Sequence, residues 1–160
     1  MKDMIIRKFG NRLRIRVCGI LIRNESILMV KHRYLGEDSL LWAPPGGGMD
    51  FGTSAEENLI REFMEETGIV VSVKEFLFVH EYLSLPLHSI ELFFEVRQTG
   101  GTLTIGKDPE MEDTGQIIGD IAYLNQQAIN RIGKNQIHGI FHDLNNLKEI
   151  LKFKGYFKTG

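Results

Sequence analysis

Residues 47–69 read GGMDFGTSAEENLIREFMEETGI, a glycine-rich loop that runs directly into an acidic helical segment. Thr53 or Ser54 is suited to cap the start of this helix, because a hydroxyl oxygen there accepts a hydrogen bond from an unpaired backbone N–H of the first turn. Gly68 is suited to end it, since glycine readily adopts the left-handed conformation that follows a last turn. The apolar face comes from residues at helical spacing, namely Ala55, Leu59, Ile60 and Phe63. The stretch therefore predicts a helix with defined ends behind a tight loop.

Three glutamates crowd onto one side of this helix, beside its apolar face. Each residue advances ~100° around a helix, so Glu66 lies at about +40° and Glu65 at about −60° from Glu62. Like charges at this spacing repel each other, and a helix selected for stability alone would scatter them. A hard divalent cation such as Mg²⁺ prefers carboxylate oxygens, whereas zinc prefers cysteine and histidine, which this segment lacks. The cluster indicates a site for a hard cation, with a solvated acidic face as the alternative.

The stretch resembles the signature of the Nudix hydrolase family, which is Gly, five residues, Glu, seven residues, then Arg-Glu-apolar-any-Glu-Glu-any-Gly-apolar. The matching positions are Gly47, Arg61, Glu62, Phe63, Glu65, Glu66, Gly68 and Ile69. One position departs, because Thr53 stands where the family has its first Glu. Glu57, one turn before Arg61, is expected to pair with that arginine along the helix. The resemblance implies an α+β fold, with a Nudix-like α/β/α sandwich around a mixed β-sheet.

By this resemblance the protein is a pyrophosphohydrolase that cleaves a diphosphate linkage in a nucleotide derivative, with Mg²⁺ or Mn²⁺ as cofactor. The metal ligands that it implies are Glu62, Glu65, Glu66 and a backbone carbonyl of the loop, taken as that of Gly46. The catalytic residues that it implies are Glu66, Glu65, Arg61 and Glu112. Glu112 belongs to a later acidic loop, DPEMED, in which Glu110 is the close alternative and simple solvent exposure is the other interpretation. The general base stays open between a glutamate of the helix and this loop.

Four residues are candidate substrate contacts because of where they lie in the sequence. Gly47 and Gly48 belong to a glycine run, which lets the backbone approach a ligand closely before a helix N-terminus that favours anions. Phe51 lies in the loop, where an exposed ring is placed to line a base pocket. Arg33 ends a predicted strand and is placed to reach phosphates, with a strand-end charge in solvent as the alternative.

ADP-ribose, a nucleotide sugar and a nucleoside triphosphate all stay open as the small-molecule partner. Pro86 lies in roughly the place of a proline found in some family members that act on ADP-ribose. A non-enzymatic, nucleotide-sensing module is the alternative function. An RNA 5′-end hydrolase is a third possible function, because the N-terminal stretch is basic enough to attract RNA: residues 1–33 hold nine Lys/Arg against Asp3 and Glu25, a net charge of +7. The net charge of −2 argues against a general nucleic-acid binder.

The composition is that of a globular protein and predicts one domain over residues 1–160, with 42% hydrophobic and 25% charged residues. Cys18 is the one cysteine, so an intrachain disulfide is excluded and a reducing, cytoplasmic environment is expected. We interpret Cys18 as a small core residue. No apolar run reaches the ~18 residues of a membrane span, so no membrane partner is expected. Whether the protein forms a homodimer is left open by the sequence.

The rest of the chain predicts strands first and helices last. Strands are expected at residues 12–22, 27–34, 69–83, 88–98 and 117–124, the first two as a hairpin, with a tight turn at 99–102 and helices at 125–132 and 141–153. Alternation in the first strand favours a solvent-facing row of arginines, Arg12, Arg14 and Arg16. His80, Tyr82, His88 and Glu91 lie on the central strands, where a lone histidine is more often structural than a substrate contact.

Overall fold

A computed structural model describes residues 2–35, 38–106 and 117–160 of the protein. The helices are α1 (Lys2–Phe9), α2 (Ala55–Thr67) and α3 (Gln126–Arg131), followed by short 3₁₀ helices at Lys134–Gln136, Gly139–Phe141 and Leu147–Lys152. The strands are β1 (Arg12–Ile20), β2 (Ile22–Arg23), β3 (Ser26–Arg33), β4 (Leu40–Ala43), β5 (Gly46–Gly48), β6 (Ile69–Ser84), β7 (Leu87–Gly101), β8 (Ile118–Asn125) and β9 (Tyr156–Thr159).

The strands form two sheets. The larger is a five-stranded mixed sheet in the order β5-β1-β7-β6-β9. Within it β1 runs parallel to β7 and β6 runs parallel to β9, whereas β5 pairs antiparallel with β1 and β6 with β7. The second is a four-stranded sheet in which β3 pairs antiparallel with β2, β4 and β8. This is an α+β architecture with a mixed sheet, as predicted.

Helix α2 packs on one face of the larger sheet. Its N-terminus is fixed by a capping box in which the Ser54 hydroxyl accepts from the Glu57 N–H and the Glu57 carboxylate accepts from the Ser54 N–H. Its C-terminus ends at Gly68, which has a left-handed φ of 70°. The apolar face, with Leu59 and Phe63 fully buried, packs against side chains of the sheet such as Val17. These contacts fix the direction in which the helix presents its glutamates.

The opposite face of the larger sheet packs against the second sheet and the C-terminal segments. Phe78 and Phe93 stack there with ring centroids 4.6 Å apart, and Cys18 is buried beside them, as predicted for a core residue. The C-terminal part of this core comes from Ile129, Ile137, Ile140, Phe141, Leu144, Leu147 and Ile150. The mixed sheet therefore lies between α2 on one side and the C-terminal helical turns on the other.

Three details of the predicted topology differ in the structure. The predicted hairpin is present but short, because the strand expected at 12–22 divides after Ile20 and only the two residues of β2 pair antiparallel with β3. The turn expected at 99–102 is strand through Gly101. The helix expected at 141–153 is instead a succession of 3₁₀ turns, and β9 follows it at the edge of the larger sheet. The predictions also missed α1.

The described part of the chain has no helix with both the length and the apolarity needed to cross a membrane.

Candidate active site

Helix α2 faces the glycine strand β5, and their contact defines a small site. Glu66 is buried, and its Oε2 accepts a hydrogen bond of 2.9 Å from the Gly46 N–H. A Cβ added to Gly47 would lie 2.3 Å from the carboxyl carbon of Glu62, so only glycine leaves room for that carboxylate. The predicted glutamates Glu62, Glu65 and Glu66 line one cavity of about 60 Å³ together with Gly46, Gly47, Gly48 and Arg61. The fold thus brings together the acidic cluster and the loop that the sequence had placed side by side.

Burial of Glu62 disfavours the ionised form of its carboxyl group unless a positive charge lies nearby. Its side chain is 14% exposed. The pKa of Glu62 is raised to about 6, mainly by burial and in part by the neighbouring Glu65, against the opposing effect of the Arg61 guanidinium. The site is therefore short of positive charge near neutral pH in the absence of a bound cation.

Arg61 ties the acidic groups of the site together. Its guanidinium contacts Glu62 at 2.9 Å, Glu65 at 2.8 Å and Asp50 at 3.2 Å. Asp50 comes from the loop before the helix, so the arginine also holds that loop against α2. The expected pair of Glu57 with Arg61 was wrong, because the Glu57 carboxylate is engaged with Ser54 in the helix cap.

Thr53, at the position that departs from the family signature, belongs to a network of neutral polar groups. Its hydroxyl donates to the Asp50 carbonyl at 3.0 Å and accepts from the Asn58 side-chain amide. The buried Asn58 in turn accepts from the Asp50 N–H at 2.9 Å. The loop is thus fixed through Asp50, which also supplies an acidic partner for Arg61.

The predicted residues Glu110 and Glu112 lie outside the described residues. The residues that flank this segment are both at the site. The Gly106 N–H donates to the Glu66 carbonyl at 2.8 Å, and Ile117 lines the small cavity. Glu112 as a catalytic residue stays a prediction.

A second, larger cavity of about 320 Å³ opens beside the first. The two cavities share lining residues, namely Phe9, Arg14, Arg16, His32 and Leu35. Helix α1 contributes to the wall through Phe9 and the buried Ile5. The larger cavity is also lined by the strand residues His80, Tyr82, His88 and Glu91 and by residues of the C-terminal segments such as Lys134, Asn135 and His138. The two spaces form one site with an acidic end and a mixed polar and apolar end.

His80, Glu91 and His138 form a buried cluster in the wall of the larger cavity, with their nearest polar atoms within 4.8 Å of one another. The Oε2 of Glu91 accepts from His80 Nδ1 at 2.9 Å and from His138 Nε2 at 2.7 Å. Burial opposes ionisation of Glu91, but the electrostatic interaction with His138, the hydrogen bonds from both histidines and the charge of Arg16 hold its pKa well below the usual range. Burial lowers the pKa of His138, against the opposing effect of the Glu91 carboxylate.

The hydrogen bonds of this cluster argue against a metal ion there. The Ile140 N–H donates to His138 Nδ1 at 3.3 Å, so the ring proton lies on Nε2 and is given to Glu91. A nitrogen that carries a proton has no lone pair for a metal. The charge of Arg16, 3.2 Å from the other oxygen of Glu91, already occupies the position of a counter-cation.

Arg16 is a correction to the predicted row of solvent-facing arginines. Arg12 is exposed, but Arg14 is half-buried and its guanidinium lies over the Phe9 ring at 4.1 Å. The Arg16 side chain is 20% exposed, reaches both cavities and donates to the Gly46 carbonyl at 3.4 Å. The three arginines do alternate along β1 as predicted, but Arg14 and Arg16 line the two cavities and do not form a solvent-facing row. His138 comes from a C-terminal segment that carried no recognisable signal.

Of the other predicted substrate contacts, Gly48 lines a cavity, whereas Phe51 and Arg33 do not. Gly48 lines the small cavity, where a Cβ would lie 3.1 Å from Arg14. Phe51 is fully exposed in the loop, and Arg33 is exposed beside Gly119, so neither lines the two described cavities. His32, which points to the other face of β3, lines both, and burial lowers the pKa of its ring to about 3. Phe51 and Arg33 stay predictions as substrate contacts.

Comparison with known proteins shows the family to which the chain belongs. The NUDIX domain model matches residues 12–130, well over half of the chain, and the chain belongs to the Nudix family. It is similar to the ADP-ribose pyrophosphatase of Methanocaldococcus jannaschii, with 32% identity over 99 residues, which cover 59% of this chain and 56% of that protein. A shorter segment of 51 residues is 49% identical to a putative 8-oxo-dGTP diphosphatase of Bacillus subtilis and covers 31% of this chain and 32% of that protein. The chain thus spans about half or less of the length of these relatives.

Solved structures show the same fold. The MutT protein from Methanosarcina mazei Go1 superposes with a TM-score of 0.65 at 15% identity and covers 88% of this chain and 94% of that one. An ADP-ribose pyrophosphatase from Streptococcus suis 89-1591 superposes with a TM-score of 0.60 at 16% identity, over 90% of this chain and 98% of that one. At this level of identity the likeness concerns the fold alone.

Proposed function

We propose that this protein is a divalent-metal-dependent pyrophosphohydrolase that cleaves the diphosphate linkage of a nucleoside diphosphate derivative, with ADP-ribose as the first candidate. The observation that carries the proposal is the joined pair of cavities. One end is lined by three carboxylates and a glycine backbone, and the other has room for an organic group. A diphosphate at the first end and its substituent at the second fit this arrangement.

The residues of the small cavity fit a hard divalent cation such as Mg²⁺ or Mn²⁺. The ligands that would hold it are Glu62, Glu65, Glu66 and the carbonyl of Gly46, an all-oxygen set. The missing Cβ of Gly47 leaves the Glu62 carboxylate against the glycine strand, and the raised pKa of Glu62 supports a site that a bound cation would stabilise. When bound, the cation supplies neutralisation of the diphosphate charge and a lower pKa for an attacking water.

The chain's own side chains supply positioning and proton transfer. Arg61 holds Glu62 and Glu65 in place. The Gly46 N–H holds one oxygen of Glu66. We assign the role of general base to Glu66, with Glu112 as the alternative. Positioning and charge stabilisation carry most of the catalysis in substitution at phosphorus.

The size of the larger cavity and the relatives favour a nucleoside derivative over a bare polyphosphate. A volume of about 320 Å³ falls at the lower end of the range for small-molecule sites, roughly 300–1,000 Å³. The relative in Methanocaldococcus jannaschii is an ADP-ribose pyrophosphatase, which supports ADP-ribose. The second candidate is a purine nucleoside triphosphate, because a segment of 51 residues is 49% identical to a putative 8-oxo-dGTP diphosphatase.

The test is hydrolysis across a panel of ADP-ribose, nucleotide sugars, nucleoside triphosphates and 5′-triphosphorylated RNA, each with Mg²⁺, Mn²⁺ or EDTA. We expect turnover of one small-molecule class that EDTA abolishes. Glu66→Gln should abolish that turnover, whereas Glu56→Gln, at an exposed position of the same helix, should leave it unchanged. Binding of a nucleotide without turnover would favour the sensing module, and turnover of RNA alone would contradict the small-molecule assignment.

A further inference from the structure

Arg16 stands at the junction of the two cavities, and the proposed metal chemistry does not use it. It lines both spaces, and its Nη2 lies 3.4 Å from the carbonyl of Gly46 in the glycine strand. A guanidinium carries five N–H donors in a planar fork that suits phosphate oxygens. Gly46 and Glu91 are its described polar partners. Its Nε is buried and lies 3.2 Å from Glu91 Oε1 without hydrogen-bond geometry, so the pair leaves donors of the fork unused.

Burial of the charged and polar side chains behind Arg16 costs free energy. A buried ion pair is often no better for stability than well-packed apolar side chains, because both charges lose their hydration. Here the pair of Arg16 with Glu91 is accompanied by two buried histidines, His80 and His138. Such a set of polar groups in the wall of a cavity calls for a role other than stability.

The arrangement fixes the direction in which Arg16 points. Glu91 lies on β7, in register with Arg16 on the parallel strand β1. Its second oxygen is held by His80 from β6 and by His138 from the C-terminal segment. Each histidine is itself held at its far nitrogen, His80 by the Thr159 hydroxyl at 2.9 Å and His138 by a backbone N–H. The carboxylate that anchors the guanidinium is thus restrained from two sides, so the guanidinium is preorganised at the junction.

We propose that Arg16 binds the phosphate of the substrate that carries its nucleoside or sugar group, and that Glu91, His80 and His138 are positioning residues for its guanidinium. This inference rests on the proposed function, because it needs a substrate whose diphosphate occupies the small cavity. The junction is where such a substrate passes from one cavity to the other. The contact of Arg16 with Gly46 also links this phosphate to the loop proposed to hold the cation.

The first experiment measures binding without turnover. The affinities of ADP, used as its non-hydrolysable α,β-methylene analogue, and of adenosine are determined with Mg²⁺ by calorimetry or NMR for the wild type, Arg16→Met, Arg16→Lys and the control Arg12→Met. Arg12 lies on the same strand but is exposed. We expect Arg16→Met to weaken ADP binding by about tenfold or more, because it removes a charge-assisted contact to phosphate. Arg16→Lys should recover part of the loss, adenosine affinity should stay within about twofold, and Arg12→Met should behave as the wild type.

The second experiment separates positioning from a structural role. Glu91→Gln keeps the size of the side chain but removes the charge that anchors Arg16. It is compared with Glu95→Gln on the same strand, whose partner is the surface residue Lys74 at 2.9 Å. With the substrate that the panel identifies, we expect Glu91→Gln to raise KM about tenfold with a smaller change in kcat, the pattern of lost uniform binding. Glu95→Gln should leave both constants unchanged.

Each outcome supports or overturns the inference. Equal losses for ADP and adenosine, or unchanged ADP affinity in Arg16→Met, would overturn it while leaving the proposed function standing. If Glu91→Gln unfolds the chain, the ADP and adenosine affinities of the Arg16 variants alone test the inference. A wild type that binds no nucleotide would overturn the proposed function and this inference with it.

Discussion

Replacement of Glu62 by Gln should stabilise the metal-free protein at neutral pH, and this gain should disappear in acid, where the Glu62 carboxyl is protonated and neutral. Gln has nearly the same shape as Glu and carries no charge. In the folded protein burial raises the pKa of Glu62 to about 6 from 4.5. The native state therefore favours the protonated carboxyl more strongly than the unfolded chain does.

The magnitude follows from this difference in pKa. The protonated form contributes its full stability below pH 4.5, the unfolded value, and that contribution is lost as the pH rises through the folded value of about 6. A shift of roughly 1.5 pKa units corresponds to about 2 kcal/mol. We expect the free energy of unfolding of Glu62→Gln, relative to the wild type, to rise by about 1.5–2 kcal/mol between pH 4.5 and pH 7.5.

Urea denaturation in EDTA at several pH values measures this difference directly. At pH 7.5 a gain of this size corresponds to roughly 4–8 °C in Tm for a chain of this length. Mg²⁺ should then raise the Tm of the wild type but not that of Glu62→Gln. A relative stability that stays flat with pH would refute the claim that Glu62 is held in a site short of positive charge.

Three further substitutions test other parts of the structure. Gly47→Ala places a Cβ 2.3 Å from the carboxyl carbon of Glu62 and should lower metal-dependent kcat/KM by about 100-fold; unchanged turnover would contradict the close approach. His32→Gln should make the free energy of unfolding less sensitive to acid, because the buried ring, with a pKa of about 3, stays neutral while the unfolded chain takes up a proton. Between pH 6.5 and 5 the free energy of unfolding of the wild type should therefore fall by roughly 1.5 kcal/mol more than that of the variant; parallel pH profiles in urea denaturation would refute this. Gly68→Ala, at a φ of 70° with Thr104 Oγ1 2.3 Å from the added Cβ, should destabilise by about 1 kcal/mol or more in urea; a neutral effect would show that the helix end rearranges.

Local signals explain why the central helix could be predicted. The hydroxyl of Ser54, the apolar spacing through Phe63 and the left-handed Gly68 all act within a few residues of one another. The same holds for the long hairpin of β6 and β7, whose strands follow each other directly. The position of Glu62 and Glu66 against the glycine loop also follows from sequence neighbours, since loop and helix are adjacent in the chain.

The rest of the site depends on contacts between distant parts of the chain. The burial of Arg16 requires Glu91 from the neighbouring strand, and the orientation of the His138 ring requires both Glu91 and the N–H of Ile140. An alternating strand shows that Arg16 shares a face with Arg14, but not whether that face meets water or a cavity. The 3₁₀ turns within 141–153, chiefly Leu147–Lys152, have an apolar spacing that also fits an α-helix, and only packing decides between the two.

The central claim is that a divalent cation binds at the glutamates of α2 and not at the buried cluster of His80, Glu91 and His138. Its most direct test is Mn²⁺ binding followed by EPR in the wild type, Glu66→Gln and His138→Asn, with the fold of each checked by circular dichroism. The account predicts Mn²⁺ binding in the wild type and in His138→Asn, and its loss in Glu66→Gln. Binding that survives in Glu66→Gln but disappears in His138→Asn would contradict the account and move the metal to the histidine cluster.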